Sequence, residues 1–169
     1  MASNCAGIRH ARHEGVHSEA ELNRIAAQII GGGIAVHRAI GPGCYESAYS
    51  PCLAYELQKR RLDFRTKVAV AIQYESLSIP RAFEADFIVE GSIVLELKSM
   101  TTLSAADRRQ LQTYLRFTGC PLGLLMNFGA GTMREGIGRI VNNFPEGTSH
   151  DLRGEAAMGE TTGSDQNGF

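Results

Sequence analysis

Apolar residues recur at helical spacing in the first part of the chain. Ser18 and Glu21 form an S-x-x-E capping box, the usual start of a helix. From there, apolar positions return every three or four residues as far as Ile40. The three consecutive glycines Gly31–Gly33 should weaken this helix in its middle, because glycine is a poor helix former. They follow no strand and lack a lysine partner, so a phosphate-binding loop is not indicated.

A second helix is predicted from about Tyr45 to Arg61. Gly41-Pro42-Gly43 stops the first helix. Apolar residues then share one stripe of the next segment, which also contains Pro51. Because proline removes a backbone donor, it should kink this helix or delay its start.

Alternating and continuous apolar runs predict several strands after the two helices. A third helix, capped by Ser104 and Asp107, interrupts them. The order of elements indicates an α/β fold, in which a mixed central β-sheet is flanked by α-helices. The predicted strands are Lys67–Tyr74, Ala82–Val89, Ile93–Lys98, Pro121–Asn127 and, more weakly, Gly136–Val141.

Composition fits one globular domain with two polar tails. The 169 residues are 43% hydrophobic and 21% charged, which is ordinary for a domain with its own core. We expect a flexible N-terminal tail at 1–17, the folded domain at 18–146 and a disordered C-terminal tail at 147–169. The net charge of −1 provides no general attraction for nucleic acid, so such a partner needs a local patch or a metal.

The cysteines and the apolar runs favour a cytoplasmic protein. The four cysteines form no C-x-x-C pair, which argues against a zinc ribbon or a redox motif. The first residues lack the apolar core of a secretion signal. No apolar run reaches the roughly 20 residues that a membrane span needs. We therefore expect reduced thiols in a cytoplasmic environment and no membrane partner.

The predicted hairpin brings two acids together. Apolar residues alternate along its first strand (Phe83, Ala85, Phe87, Val89) and along its second strand (Ile93, Leu95, Leu97). If these apolar faces are buried together, odd positions must pair with odd positions. A three-residue loop, Glu90–Ser92, then sets Val89 opposite Ile93 and Asp86 opposite Glu96. Lys98 and Glu84 join the same polar face.

Two carboxylates at cross-strand distance repel each other, so this face needs a cation. Lys98 or a divalent metal could supply it, and Mg²⁺ or Mn²⁺ suits carboxylate oxygens. Such a metal acts as a Lewis acid on a phosphodiester and lowers the pKa of a bound water, while Lys98 orients that water or stabilises the charge on phosphorus. On the pattern alone, an ordinary solvated polar face explains these residues equally well.

Three motifs together resemble a known nuclease group. Asp86 followed by Glu96-Leu97-Lys98 is similar to the D…(D/E)xK signature of the PD-(D/E)xK nuclease superfamily. Gly43–Tyr49 matches the G-x-x-E-x-x-Y pattern of the GxxExxY proteins. Gln110 and Tyr114 form a Q-x-x-x-Y pair, as in RecB-like exonuclease domains. The resemblance runs from about residue 26 to residue 142.

The resemblance implies a restriction-endonuclease-like core with its metal site at the edge of the sheet. Glu46 would join Asp86 and Glu96 as a metal ligand, and the helix of Gln110 and Tyr114 would border the site. Packing is the stronger explanation for Tyr49, and Tyr114 also fits an apolar stripe with Leu111 and Leu115. This chain departs from the pattern in Ser50-Pro51, which puts the direction of Glu46 in question, and in lacking the proline of the motif name.

Two other groups of residues have weaker functional interpretations. His10, His13 and His17 would share one helix face and could bind zinc, but solvated tail histidines explain them better. Two basic runs could contact phosphates or simply form solvated helix faces. They consist of Arg60, Arg61, Arg65 and Lys67, and of Arg108, Arg109 and Arg116.

These observations favour a Mg²⁺-dependent nuclease that acts on DNA rather than RNA. Its catalytic residues would be Glu46, Asp86, Glu96, Lys98, Gln110 and Tyr114. The alternative is a catalytically silent binding or accessory module on the nuclease fold, as a homodimer or with a partner protein. A third hypothesis is a nuclease of a defence or mobile-element system that acts only with a partner. A motif identifies a site rather than a substrate.

Overall fold

The computed structural model describes residues 17–142 as five strands and three helices around one sheet. The predicted end of the domain at residue 146, the predicted C-terminal tail and almost all of the predicted N-terminal tail, with His10 and His13, lie outside the described residues. No helix in this range is long and apolar enough to cross a bilayer. The elements are α1 (Glu19–Ile40), α2 (Glu46–Lys59), β1 (Phe64–Tyr74), β2 (Leu77–Val89), β3 (Ile93–Lys98), α3 (Ala105–Thr118), β4 (Leu122–Asn127) and β5 (Ile137–Val141).

The sheet is mixed and keeps the order of the chain, β1-β2-β3-β4-β5. All neighbours are antiparallel except β3 and β4, which are parallel. A parallel pair needs a crossover connection, and α3 provides it. Because β3 and β4 are parallel, their last residues, Lys98 and Asn127, lie beside each other where the two strands end. The predicted α/β class with a mixed sheet and flanking helices is confirmed.

Helices cover both faces of the sheet and create two apolar cores. The larger core joins α1 and α2 to one face. The smaller core joins α3 to the other face. Both faces of β3 and β4 are therefore buried, which explains why these strands are continuously apolar apart from their ends. The polar residues within β3 consequently stand out as candidates for chemistry.

Helix α1 begins as predicted, with a complete capping box at Ser18 and Glu21. It continues unbroken through its three glycines, of which Gly33 has the closest neighbour. A Cβ on Gly33 would lie 2.2 Å from the methyl carbon of Met126, so the missing side chain lets α1 approach β4. Helix α2 runs from Glu46 to Lys59, close to the predicted bounds, and Pro51 lies inside it, so proline does not delay its start.

The hairpin of β1 and β2 is longer than the sequence predicted. The strands join at a tight turn where Glu75 has a φ of 51°, whereas the pattern left 75–81 outside any strand. The pairing shifts between the pairs Val70–Phe83 and Ile72–Ile79. Pro80 lies in this irregular stretch, where the missing N–H of proline is tolerated.

The prediction that the side chains from Phe83 to Val89 alternate strictly between the two faces of β2 is wrong. Phe87 and Val89 belong to the larger core, whereas Phe83 and Ala85 pack with the smaller one on the opposite face. The change of face coincides with Lys67 of β1, which has a φ of 50°. A left-handed residue interrupts the pleat of a strand, so side chains on either side of it can face opposite ways.

Candidate functional site

Asp86 lies where β2 and β3 separate. The predicted pairing of Val89 with Ile93 is confirmed, but the paired residues end at Phe87 and Leu95, so the predicted pair of Asp86 with Glu96 is not part of the ladder. Beyond that point, the Oδ2 atom of Asp86 accepts a hydrogen bond from the backbone N–H of Leu97 at 2.9 Å. The side chain of Asp86 thus replaces a ladder hydrogen bond and lies beside the Glu96–Lys98 segment.

Glu96 and Lys98 project together from the end of β3. The Nζ atom of Lys98 donates to Oε1 of Glu96 at 2.6 Å. The residue Glu96 is only 5% exposed, and its Oε2 atom is buried without a hydrogen-bond partner among the described residues. An unpaired buried carboxylate oxygen is costly, because it has lost its water and gained nothing in exchange.

Burial raises the pKa of Glu96 above its ordinary 4.5; the hydrogen bond from Lys98 opposes this, and the negative charge of Asp86 adds to it. For Lys98, burial would lower the pKa, but the hydrogen bond and charge of Glu96, together with the charge of Glu46, raise it above 10.5. Lys98 is therefore an ammonium ion at neutral pH, held beside a carboxylate that would be stabilised by further positive charge.

Lys67 also reaches this site, although its sequence context indicated only a basic run. Its Nζ atom is 2.7 Å from Oδ1 of Asp86 and 3.9 Å from Oε1 of Glu84. The hydrogen bond to Asp86 raises the pKa of Lys67. No sequence signal could have identified this contact, because it depends on the break in the pleat of β1.

Glu46 opens helix α2 and faces the chain just after Lys98. Its Oε1 atom accepts a hydrogen bond from the backbone N–H of Ser99 at 3.3 Å. The hydroxyl of Ser99 donates to the carbonyl of Cys44 at 2.6 Å, which ties the start of α2 to the end of β3. The charge of Glu46 raises the pKa of both Glu96 and Lys98, so Glu46 lies at the rim of the site.

Tyr49 holds the loop that carries Glu46. The ring is fully buried and stacks on Phe128, with 4.4 Å between the ring centroids. Its hydroxyl donates to the carbonyl of Gly41 at 2.7 Å and accepts from the N–H of Cys44 at 3.1 Å. Tyr49 thus has the packing role that its sequence context favoured, and it also fixes the position of the loop.

Gln110 and Tyr114 lie on the face of α3 that is turned to the sheet. The amide of Gln110 donates to the hydroxyl of Tyr114 at 2.8 Å. The ring of Tyr114 packs against Phe83. Burial raises the pKa of Tyr114, and the charge of Glu96 adds to the shift. Tyr114 therefore combines the predicted packing role with proximity to the site.

Asn127 supports the site from β4, and its role was not predicted. Its side-chain oxygen accepts from the N–H groups of Met100 and Gly129, and its amide donates to the carbonyl of Met100. Three backbone groups are thereby satisfied around a buried side chain. These hydrogen bonds fix the course of the chain immediately after Lys98. An isolated Asn at the end of an apolar run is a weak signal by itself.

The donor atoms suit a divalent cation, although the carboxylates do not form a finished site. Within residues 17–142, no three His, Cys, Asp or Glu side chains lie together as a group that could hold a metal. Asp86 and Glu96 are close in space, whereas Glu46 remains at the rim. The unpartnered Oε2 of Glu96 beside a second carboxylate is nevertheless the kind of oxygen that Mg²⁺ or Mn²⁺ binds.

Comparison with known proteins identifies one family. The family model of the PD-(D/E)XK nuclease superfamily matches residues 23–140, which include β1 to β4, all but the last residue of β5, and the six candidate residues. No curated protein and no solved structure is significantly similar to the chain.

Proposed function

Because the chain belongs to the PD-(D/E)XK nuclease superfamily, we propose that it is a metal-dependent nuclease that hydrolyses phosphodiester bonds, in DNA rather than RNA. The observation that supports this best is the buried Glu96. One of its oxygens is paired with Lys98 and the other has no partner, beside Asp86. Buried polar atoms in native structures generally have a hydrogen-bond partner, so the unpartnered oxygen of Glu96 calls for a functional explanation.

Asp86 and Glu96 would hold the metal through Oδ1 and Oε2, and Glu46 would join through its free oxygen or a water. When bound, a divalent ion polarises a phosphodiester and makes a water molecule more acidic. Lys98 would donate a hydrogen bond to the attacking water or to the phosphoryl oxygens, where charge accumulates. Glu96 fixes the ammonium of Lys98 for this role through the 2.6 Å hydrogen bond.

Gln110 and Tyr114 would border the substrate from α3. Their mutual hydrogen bond leaves the Gln110 oxygen and one amide proton available. Packing of Tyr114 on Phe83 limits the movement of the pair. They would therefore position the nucleic acid strand rather than take part in proton transfer.

A cleavage panel with a matched lysine control tests the proposal. We expect the full chain to cleave at least one of single-stranded, duplex or branched DNA in Mg²⁺ or Mn²⁺, and Lys98→Met to lose at least about a hundredfold of the rate. Lys59→Met removes another ion-paired lysine, on the far end of α2, and should cleave normally. Inactivity of the wild type on every DNA, or equal rates for both variants, would contradict the proposal.

A silent binding module is the second candidate, and one observation favours it. Both oxygens of Asp86 already have partners, Lys67 and the N–H of Leu97. In that case, neither Mg²⁺ nor Mn²⁺ would bind, and Asp86→Asn would leave binding of nucleic acid or a partner protein unchanged. Calorimetric titration with Mn²⁺ separates the two candidates, since only the nuclease should show a heat of Mn²⁺ binding, of either sign, that Asp86→Asn abolishes.

A further inference from the structure

Lys67 is directed at Asp86 by the backbone of β1. It lies between the pairs Thr66–Phe87 and Val68–Ala85, in the position across from Asp86. Its φ of 50° is a conformation that residues with a side chain seldom adopt. The side chain of Lys67 is 58% exposed, so its ammonium could have remained fully in water. It instead approaches Oδ1 of Asp86 to 2.7 Å.

Lys67 and a divalent metal would compete for the same oxygen. The other oxygen of Asp86 accepts the backbone N–H of Leu97, whereas Oδ1 is paired with an exposed side chain that can move, so Oδ1 is the oxygen more easily made available to a metal. Carboxylate oxygens bind Mg²⁺ at about 2.0–2.1 Å. A metal at that distance from Oδ1 would lie within a few ångströms of the ammonium, and two cations that close repel each other strongly. Metal binding at Oδ1 therefore weakens the ion pair and favours movement of the exposed Lys67 ammonium away from Asp86.

We infer that Lys67 is the counter-ion that a divalent metal displaces from Asp86, and that the displaced ammonium then contacts a phosphate of the bound nucleic acid. The inference rests on the proposed nuclease function. Lys67 is thus a substrate-positioning residue that couples metal binding to strand binding.

The surroundings of Lys67 limit where its ammonium can go. Besides Asp86, the charges of Glu84 and Glu96 also act on Lys67. Oε1 of Glu84 is 3.9 Å from Nζ of Lys67, and Arg81 already approaches Oε2 of Glu84 at 3.4 Å. One oxygen of Glu96 is already bound by Lys98. Glu84 is exposed and already contacts Arg81, so it competes poorly with a phosphate for the ammonium of Lys67. A phosphodiester beside the metal offers a full negative charge, and a lysine binds it as a point charge.

Titration with Mn²⁺ tests the displacement. Lys67→Met should bind Mn²⁺ roughly two- to fivefold more tightly than the wild type, the range expected when an exposed ion pair no longer has to be broken. Lys59→Met, which removes the lysine paired with Glu56, should bind like the wild type, and Asp86→Asn should bind far more weakly. Circular dichroism checks that each variant is folded.

The outcomes separate the two proposals. Equal or weaker Mn²⁺ binding by Lys67→Met, with Asp86→Asn still impaired, overturns the role of Lys67 and leaves the nuclease proposal standing. If wild type and Lys67→Met both fail to bind Mn²⁺, the proposed function is overturned together with this inference.

Binding of a fluorescein-labelled DNA duplex tests whether the displaced ammonium of Lys67 contacts a phosphate. The Lys98→Met variant, which should not cleave, serves as the background. Adding Lys67→Met to it should weaken DNA binding several-fold in Mn²⁺. The dependence of the DNA-binding constant on salt concentration should fall by the amount expected for about one lost phosphate contact. In EDTA the same change should have no effect, because Lys67 is then occupied by Asp86. An equal loss in both conditions, or no loss in either, would overturn the coupling.

Discussion

The carboxyl group of Glu96 shows how one residue can be placed for chemistry at a cost in stability. Burial removes its water, Lys98 satisfies one oxygen, and the other oxygen has no partner within the described range. The apolar surroundings that bury both faces of β3 create this situation. The folded protein therefore binds a proton at Glu96 more tightly than the unfolded chain does.

Glu96→Gln should change how stability depends on pH in the absence of metal. Because the folded-state pKa is raised, the stabilising contribution of protonated Glu96 is complete below its ordinary pKa of 4.5 and is lost as the pH rises through the folded value. The difference in melting temperature between Glu96→Gln and wild type, measured in EDTA, should therefore shift in favour of the variant as the pH is raised above 4.5.

Glu75→Gln, at the exposed turn between β1 and β2, provides the control and should give a difference that does not vary with pH in this way. A difference between Glu96→Gln and wild type that stays constant across the titration would show that Glu96 does not have a raised pKa.

At the scale of the element, α3 carries Gln110 and Tyr114 as one unit. The two side chains are one turn apart and share a hydrogen bond. The helix is fixed by a capping box at Ser104 and Asp107. Removing either member should therefore release the other from its position.

Tyr114→Phe and Gln110→Ala should each lower the rate of DNA cleavage by roughly tenfold through loss of positioning. The double variant should be no slower than the single ones, because they remove the same hydrogen bond. Tyr114→Phe should cost no more than about 1.5 kcal/mol in unfolding, since its ring still packs on Phe83. Effects on cleavage that add up in the double variant would show that the two side chains act separately.

The connection from β4 to β5 supports the end of β3 through Gly129. A Cβ at Gly129 would lie 2.5 Å from the backbone oxygen and 2.6 Å from the backbone nitrogen of Met100. Backbone atoms cannot move aside as a side chain can, so Gly129→Ala should destabilise the protein by at least about 1–3 kcal/mol. It should also slow cleavage by moving the chain after Lys98.

Gly31→Ala is the matched control for this substitution. A Cβ there would meet no atom closer than 3.9 Å, and alanine favours a helix interior by up to about 1 kcal/mol. Urea unfolding should show stabilisation for Gly31→Ala and destabilisation for Gly129→Ala. The same sign for both would contradict the close approach of Gly129 to Met100.

Helices with clear caps and buried strands were predictable from the sequence, whereas the irregular hairpin was not. The capping boxes at Ser18 and Ser104 mark helix starts that the structure confirms. Ile93–Lys98 has the predicted bounds because apolar residues fill the strand. The early part of β2 was not predicted because its residues are exposed and include Pro80, so they show no apolar alternation. This segment is a strand because it pairs with β1.

At the scale of the whole molecule, the candidate site is assembled from α2, β1, β2, β3 and α3. The sequence could predict the register of β2 with β3 near their short loop, but the pairing ends at Phe87 and Leu95, before the predicted Asp86–Glu96 pair. It could not predict Lys67, whose contact with Asp86 depends on the left-handed backbone of β1. Nor could it predict Asn127, whose hydrogen bonds to Met100 and Gly129 form only when β3 and β4 lie side by side.

Anomalous diffraction from crystals grown with Mn²⁺ tests the central claim most directly, because it locates the metal itself. The account predicts one Mn²⁺ ion bound by Oδ1 of Asp86 and Oε2 of Glu96, with Lys67 moved away from Asp86. Crystals of protein that cleaves DNA, but with no Mn²⁺ at this position or with Mn²⁺ bound elsewhere, would contradict it.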